Sequence, residues 1–559
     1  MGRSREKDKH FKPPWPRPTT SEPCFARRPQ HGLESATVEK GRINPTSIKL
    51  NPCSETLIPR GDQALAFFNH VTTLAGGLTH ISGISDLEIT TINGAEYLYS
   101  ADASDGGMNV FALSGTSAAS FQAQLGYSGA RGTLGVNDIT LVEVAGQAAL
   151  LPGGRYDNRM AIHRLDTDGD FNGTKFLGAS EEIIGGITDT EVMQLDGKTF
   201  MVAAQHNTEG FRVFRVRDDL SLEYRRNFED DADNHIGDIT AMATGQIDGR
   251  TFFFTASGFD DGVTSWWMGR YGNVKERDSD GPTTSLWVDA PTAMETAEVA
   301  GKLFVVLGAS GSNSLSVMRV NPWGGLFVED HKLDTLETRF ENVQAVETVI
   351  VNDRAFVIAG GTDDGLSLFE LSPDGRLHYM TSVADQLDTT LTDVAEITAT
   401  ASGNTLTVFA AGSDAGITQF SVDLGALGDQ VTGNDLDNTL VGTANNDIML
   451  GFDGDDSLSG GVGADRLIDG AGVDSMTGGG GADIFTFVQD ARMDTVTDFE
   501  TGQDRLDLTD FAMLYSIDQL SFTQRAYGVL ITFGADRFRI EEEDGQLLVE
   551  DLTEDHFVF

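Results

Sequence analysis

The sequence predicts an all-β fold: a seven-bladed β-propeller followed by a parallel β-roll and a C-terminal β cap. Three observations predict it. A turn followed by an alternating strand recurs seven times between Asp62 and Gly428, at intervals of 51 to 52 residues. A nonapeptide repeats six times in unbroken register from Gly433 to Thr486. An outer strand that the seventh long repeat lacks has its match ahead of the first, at Ala64 to Gly77.

The chain divides in order. Residues 1–60 hold 12 of the 39 Lys and Arg, 6 of the 86 Asp and Glu, 9 of the 14 prolines and both cysteines. With neither helical nor strand periodicity, residues 1–61 are expected to be a disordered, basic, Pro-rich leader. It is either a flexible arm or sequence upstream of the true start. Cys24 and Cys53 both fall in it, so disulfides are expected to add nothing to the main body, and a zinc or redox pair is improbable.

Residues 62–427 carry the seven long repeats. Their markers begin at Asp105, Asp157, Thr208, Asp260, Ser312, Asp363 and Asp414, as in DGGMNVFAL and DDGLSLFEL. An apolar strand such as TFFFTAS or LFVVLGAS precedes each marker, and before it stands a hairpin turn such as Asn93-Gly94, Asp196-Gly197 or Asp248-Gly249;. Units of three or four short antiparallel strands at this spacing are propeller blades. The strand at Ala64 to Gly77 would complete the last blade and close the ring, removing an exposed sheet edge.

Residues 428–490 carry the nonapeptides, from GNDLDNTLV to GGGGADIFT. The sixth position holds Asn438, Asp447, Asp456, Asp465, Asp474 and Asp483, and the eighth Leu440, Met449, Leu458, Leu467, Met476 and Phe485. Glycines bring loop carbonyls close together, while the apolar eighth residue of a short strand points inward. Carboxylates and loop carbonyls suit calcium, which takes six to eight hard oxygens in a flexible shell; zinc or copper would want His and Cys. The stretch resembles the RTX (hemolysin-type) repeats of secreted bacterial proteins, whose G-G-x-G-x-D-x-U-x pattern forms a calcium-binding roll. The resemblance implies about three turns, with metal sites at Asp447, Gly454, Asp456, Gly463, Asp465, Gly472, Asp474, Gly481 and Asp483. Leu436 and Asn445 replace the fourth-position glycine, Asn438 replaces the Asp, and Asp469 stands at a first position.

Residues 491–559 are expected to be a C-terminal β cap. DTVTDFETGQDRLDLTDF, from Asp494 to Phe511, resembles the segment after RTX repeats; Asp494, Asp498, Asp504 and Asp507 either add calcium ligands or cap the roll. The terminal DLTEDHFVF resembles a type I secretion signal, so the resemblance implies the type I secretion machinery as partner and a secreted, extracellular protein. No apolar core follows the charged amino terminus, as a secretory signal peptide would require.

Net charge is −47, and beyond residue 60 it is −53. Nucleic acid is an unfavourable partner for such a surface, and no apolar run approaches membrane-spanning length. One acidic residue recurs at the start of each blade's first strand: Asp86, Asp138, Glu191, Asp238, Glu295, Glu347 and Glu396. First strands line a propeller's channel, so this ring is either a cation site, or a general base beside one, as in propeller lactonases and related hydrolases, or a repeated blade-to-blade hydrogen bond. A second column, Asp105, Asp157, Asp261, Asp364 and Asp414, is explained by turn chemistry. His80, His163, His206 and His235 lack ligand spacing, and Walker and GxSxG motifs are absent;. The expected function is therefore a calcium-folded secreted protein whose propeller binds an extracellular ligand or surface component. The alternative is a lactonase-like or other metal-assisted hydrolase.

Overall fold

Residues 67–127, 133, 135–156, 160–177, 186–206, 210–230, 234–542 and 547–559 are described in the computed structural model. The leader with its two cysteines, Asp157, Thr208 and Asp544-Gly545, where the sequence predicts a turn between the last strands of the cap, lie outside these residues. Seven four-stranded antiparallel sheets follow one another along the chain. In blade 1 the strands Ile84–Ile92, Ala95–Asp102, Gly107–Ala112 and Ser120–Leu125 pair in sequence order. The hairpin turns form where the sequence places them. Asn93, Asp196 and Asp248 take positive φ, as do the glycines after them, which matches the right-handed strand twist;.

Ring closure follows the sequence expectation. The outer strand of blade 7 is Phe68–Leu74, antiparallel to Ile417–Asp423 with Phe68 opposite Val422. The first strands of blades 1 and 7 pack together and complete the inner ring.

The blades are apolar on both faces because each face is covered by a neighbour. In TFFFTAS of blade 4, Phe252 and Phe254 fill the gap to blade 5 beside Leu303 and Val305, whereas Phe253 fills the gap to blade 3 against Phe200 and Phe211. Period-two alternation thus feeds two cores from one strand. One such cluster occupies every gap between blades. Trp266 belongs to this packing: it is buried, its Nε1 donates to Thr255 Oγ1 at 3.0 Å, and Phe211 and Phe228 meet its ring edge to face.

After Asp423 the chain coils into two parallel sheets. One holds Leu427–Thr432, Asn446–Leu450, Arg466–Ile468, Ile484–Thr486 and Arg505–Asp507; the other begins with Thr439–Val441, Ser457–Val462, Ser475–Gly480 and Met493–Val496. Met449, Leu458, Leu467, Met476 and Phe485 stack in one buried core, so the eighth position does point inward. The expected three turns fall short by one. Met493–Val496 and Arg505–Asp507 continue both sheets beyond Thr486, where the nonapeptide rhythm is already lost. What persists there is the parallel ladder and its buried column of Val496 and Leu506.

A hairpin of Gly528–Phe533 and Asp536–Ile540 then joins the second sheet, and Phe557–Val558 ends the first. Propeller and roll belong to one compact unit and meet through charged groups of blades 5 and 6. Arg354 holds Glu370 through two bonds of 2.6 and 2.8 Å and donates to the Asn446 carbonyl at 2.5 Å. Arg376 pairs with Asp510, and Lys302 lies 5.2 Å over the Phe452 ring.

Candidate cation sites

Loops on both sides of the roll place their sixth-position side chains in two columns, through which the backbone is stapled from coil to coil. On one side Asn438, Asp456 and Asp474 donate their N–H to Oδ1 of Asp456, Asp474 and Asp494, at 2.7 to 3.0 Å. On the other, Asp447, Asp465 and Asp483 donate to Asp465, Asp483 and Asp504, at 2.7 to 2.9 Å. In Asp456, Asp465, Asp474 and Asp483 only Oδ1 is consumed. Oδ2 of Asp456, Asp465, Asp474 and Asp483 has no hydrogen-bond partner although every one of these residues is buried. A buried carboxylate oxygen left without a donor is costly unless a cation meets it. Burial and neighbouring carboxylates push Asp474 up to about 7 and Asp483 to about 8. This donor set, hard oxygens only, fits calcium.

The expected site residues separate by role. Asp447 is the exception among the aspartates: Thr443 N and Oγ1 occupy its carboxylate together with Asp429 N. The fourth-position glycines serve the stacking. Gly463 and Gly481 take φ of +139° and +146°, and a Cβ on Gly481 would lie 1.7 Å from the Gly463 carbonyl oxygen. A Cβ on Gly454 or Gly472 would likewise meet backbone of the preceding coil, at 2.6 and 1.9 Å. Of the four aspartates after the repeats, Asp494 and Asp504 extend the two columns. Asp498 accepts from the Gly478 and Gly479 N–H groups, and Asp507 is held by Arg466 at 2.8 Å and by Thr509, which keep its carboxyl below the usual range despite burial.

The propeller channel differs from the predicted ring. Its acidic residues occupy two layers along the first strands: Asp86, Asp138, Asp189 and Glu396 in one, Glu88, Glu191, Glu295 and Glu347 two residues further on. All eight, with Glu96, line one cavity of about 770 Å³ whose described lining holds no Lys, Arg or His. Asp238 is not among them. It precedes the strand Ile239–Ile247 with φ of +58°, and blade 4 presents Ala241 and Ala243 at the two layer positions. Glu88 and Asp189 were missed by counting one acid per blade. The signal was present in Asp86-x-Glu88 and Asp189-x-Glu191, because residues two apart on a strand share a face.

Part of the blade-to-blade reading also holds. Asp86 and Asp189 accept from Ile139 N and Met242 N of the following blades, each at 2.5 Å. Burial, then Asp138 and Glu295, push Glu88 up to about 8; burial raises Asp138 and Glu295 to about 7. The histidines stay apart: His80 pairs with Asp105, His163 contacts Thr174, His206 contacts Arg155 and His235 contacts Ser279. In the turn column, Asp261 and Asp364 accept the Ala290 and Asp393 N–H of the next blade.

With the parallel coils and their aspartate columns in place, the roll can be compared with known families. Residues 440–540 match the Peptidase M10 serralysin C-terminal family. The serralysin-type roll thus covers the coils from Thr439–Val441 onward and the hairpin to Ile540, and none of the propeller. A search of curated proteins finds no match. The serralysin likeness agrees with an RTX-type roll carried behind a propeller, and among the described residues no helix is long and apolar enough to cross a membrane.

Proposed function

We propose that this chain is a secreted calcium-binding protein whose serralysin-type roll folds on calcium after type I export, carrying a propeller that binds a cationic extracellular ligand in its channel. For the roll, the supporting observation is the four buried sixth-position aspartate oxygens without donors, two in each column. Extracellular calcium modules work at affinities on the order of 10⁻⁴ to 10⁻³ M, so the roll stays unfolded in a low-calcium cytosol and closes outside. Circular dichroism and amide exchange of the full chain in chelator and then millimolar calcium test this. Residues 428–559 are expected to gain protection only with calcium; protection already complete in chelator would refute it.

For the propeller, the observation that carries the reading is an acidic cavity whose described lining holds no basic group. Walls of one charge focus the field and concentrate cations. The acids also break the repeat: blades 4, 5 and 6 carry Ala241, Ala293 and Ala345 where blades 1, 2, 3 and 7 carry carboxylates. Spermidine is a suitable cationic probe, expected to bind the full chain and to weaken at least tenfold in a Glu88→Gln, Glu191→Gln double variant. No measurable binding would remove this half. The second reading, a metal-assisted hydrolase, is favoured by carboxyls raised toward neutrality, where a general base operates;. A tight stoichiometric ion in the propeller, residues 62–427, would support that reading instead.

A further inference from the structure

The loop from Asp469 to Asp474 departs from its neighbours at one point. Five other loops open on glycine, at Gly433, Gly442, Gly451, Gly460 and Gly478. In each, a Cβ would fall 2.4 to 2.6 Å from a sixth-position side-chain oxygen, so the first position faces the sixth directly. Asp469 places a carboxylate there. Its Oδ1 accepts from Gly470 N at 2.6 Å and Val488 N at 2.8 Å, which fixes the group between two coils. Its Oδ2 has no partner, and neither has Asp474 Oδ2.

Asp469, Asp474 and Asp494 offer oxygens that all lie within 4.8 Å of one another, and the three residues are 0, 1 and 3% exposed. An ion with ligands at roughly 2.3 to 2.6 Å spans oxygen pairs up to about 5 Å apart, whereas magnesium, with ligands at roughly 2.0 to 2.1 Å, spans only about 4 Å. We propose that Asp469, Asp474 and Asp494 form a three-carboxylate calcium site, different in kind from the loops that supply one aspartate each. Asp469 is its added ligand. Asp494 lies on Met493–Val496, the strand that carries the hairpin strand Asp536–Ile540. An ion held here therefore ties the last repeats to the C-terminal hairpin. More charged ligands bind calcium more tightly, so this site fills first as calcium rises.

The proposal rests on the calcium-dependent roll, and the experiment keeps the two apart. Calcium is titrated calorimetrically into the chelator-stripped full chain and into its Asp469→Asn, Asp469→Gly and Asp494→Asn variants, with folding followed by circular dichroism. Asparagine keeps an oxygen for Gly470 and Val488, and glycine restores the pattern of the five other loops, so at least one variant at position 469 folds at saturating calcium. The expected result is a single tightest site, insensitive to magnesium, that weakens at least tenfold in all three variants while the remaining sites are unchanged. Unchanged affinities, or a tighter ion in Asp469→Gly, would overturn the three-carboxylate site and leave the roll reading standing. A wild-type chain that takes up no calcium would overturn both.

Discussion

Asp86 and Glu88 stand two residues apart on one strand and therefore face the same cavity, as do Asp189 and Glu191;. Eight carboxylates so placed cannot all be ionised without a counter-ion, and the fold keeps protons on some of them. Glu88, at about 8, and Asp138 and Glu295, at about 7, bind protons that the unfolded chain has released by about pH 5;. Native protons in excess of unfolded ones mean that stability falls as pH rises. In chelator, thermal melts should be highest near pH 5 and decline through pH 8; a rise toward pH 8 would contradict the channel electrostatics. Glu88→Gln removes one of these charges, and at pH 8 in chelator it should raise the melting temperature by about 2–4 °C, the shift that roughly 1 kcal/mol produces in a large domain.

Among elements, the roll loops and the seam to the propeller carry the sharpest expectations. Gly481 leaves no room for a Cβ against the Gly463 carbonyl, whereas nothing lies within 4 Å of a Cβ on Gly480. Gly481→Ala should cost about 1–3 kcal/mol of calcium-bound roll stability by forcing coils apart, with Gly480→Ala as the tolerated control, both read from urea unfolding. The legibility of the loops was uneven. Glycine spacing and the eighth-position column gave the coil repeat, yet the coil containing Asp494 and Asp504 has no nonapeptide to announce it. At the seam, Arg354 and Glu370 are 5 and 7% exposed and fully bonded to each other. Arg354→Ala strands the Glu370 carboxylate and should destabilise the chain by about 3–5 kcal/mol. It also removes the donor to Asn446, so the calcium midpoint of the roll should rise in a calcium titration followed by circular dichroism.

At the scale of the whole molecule, the last residues close the roll. Phe557 is buried in its core and pairs with Leu506, so a terminus resembling an export signal is an integral strand once folded. Deleting Phe557–Phe559 should shift calcium-induced folding to higher calcium by at least twofold, measured by circular dichroism; an unchanged midpoint would show the strand to be ornamental. The sequence by itself determined the blade number, the ring closure through Phe68–Leu74 and the inward eighth position, because strand alternation and repeat length are local and periodic. Only the tertiary structure decided which acids share a cavity, that Asp238 stands outside it, and that Asp469 meets Asp474 and Asp494. Convergence of side chains from different coils and blades depends on stacking and register, which no single repeat encodes.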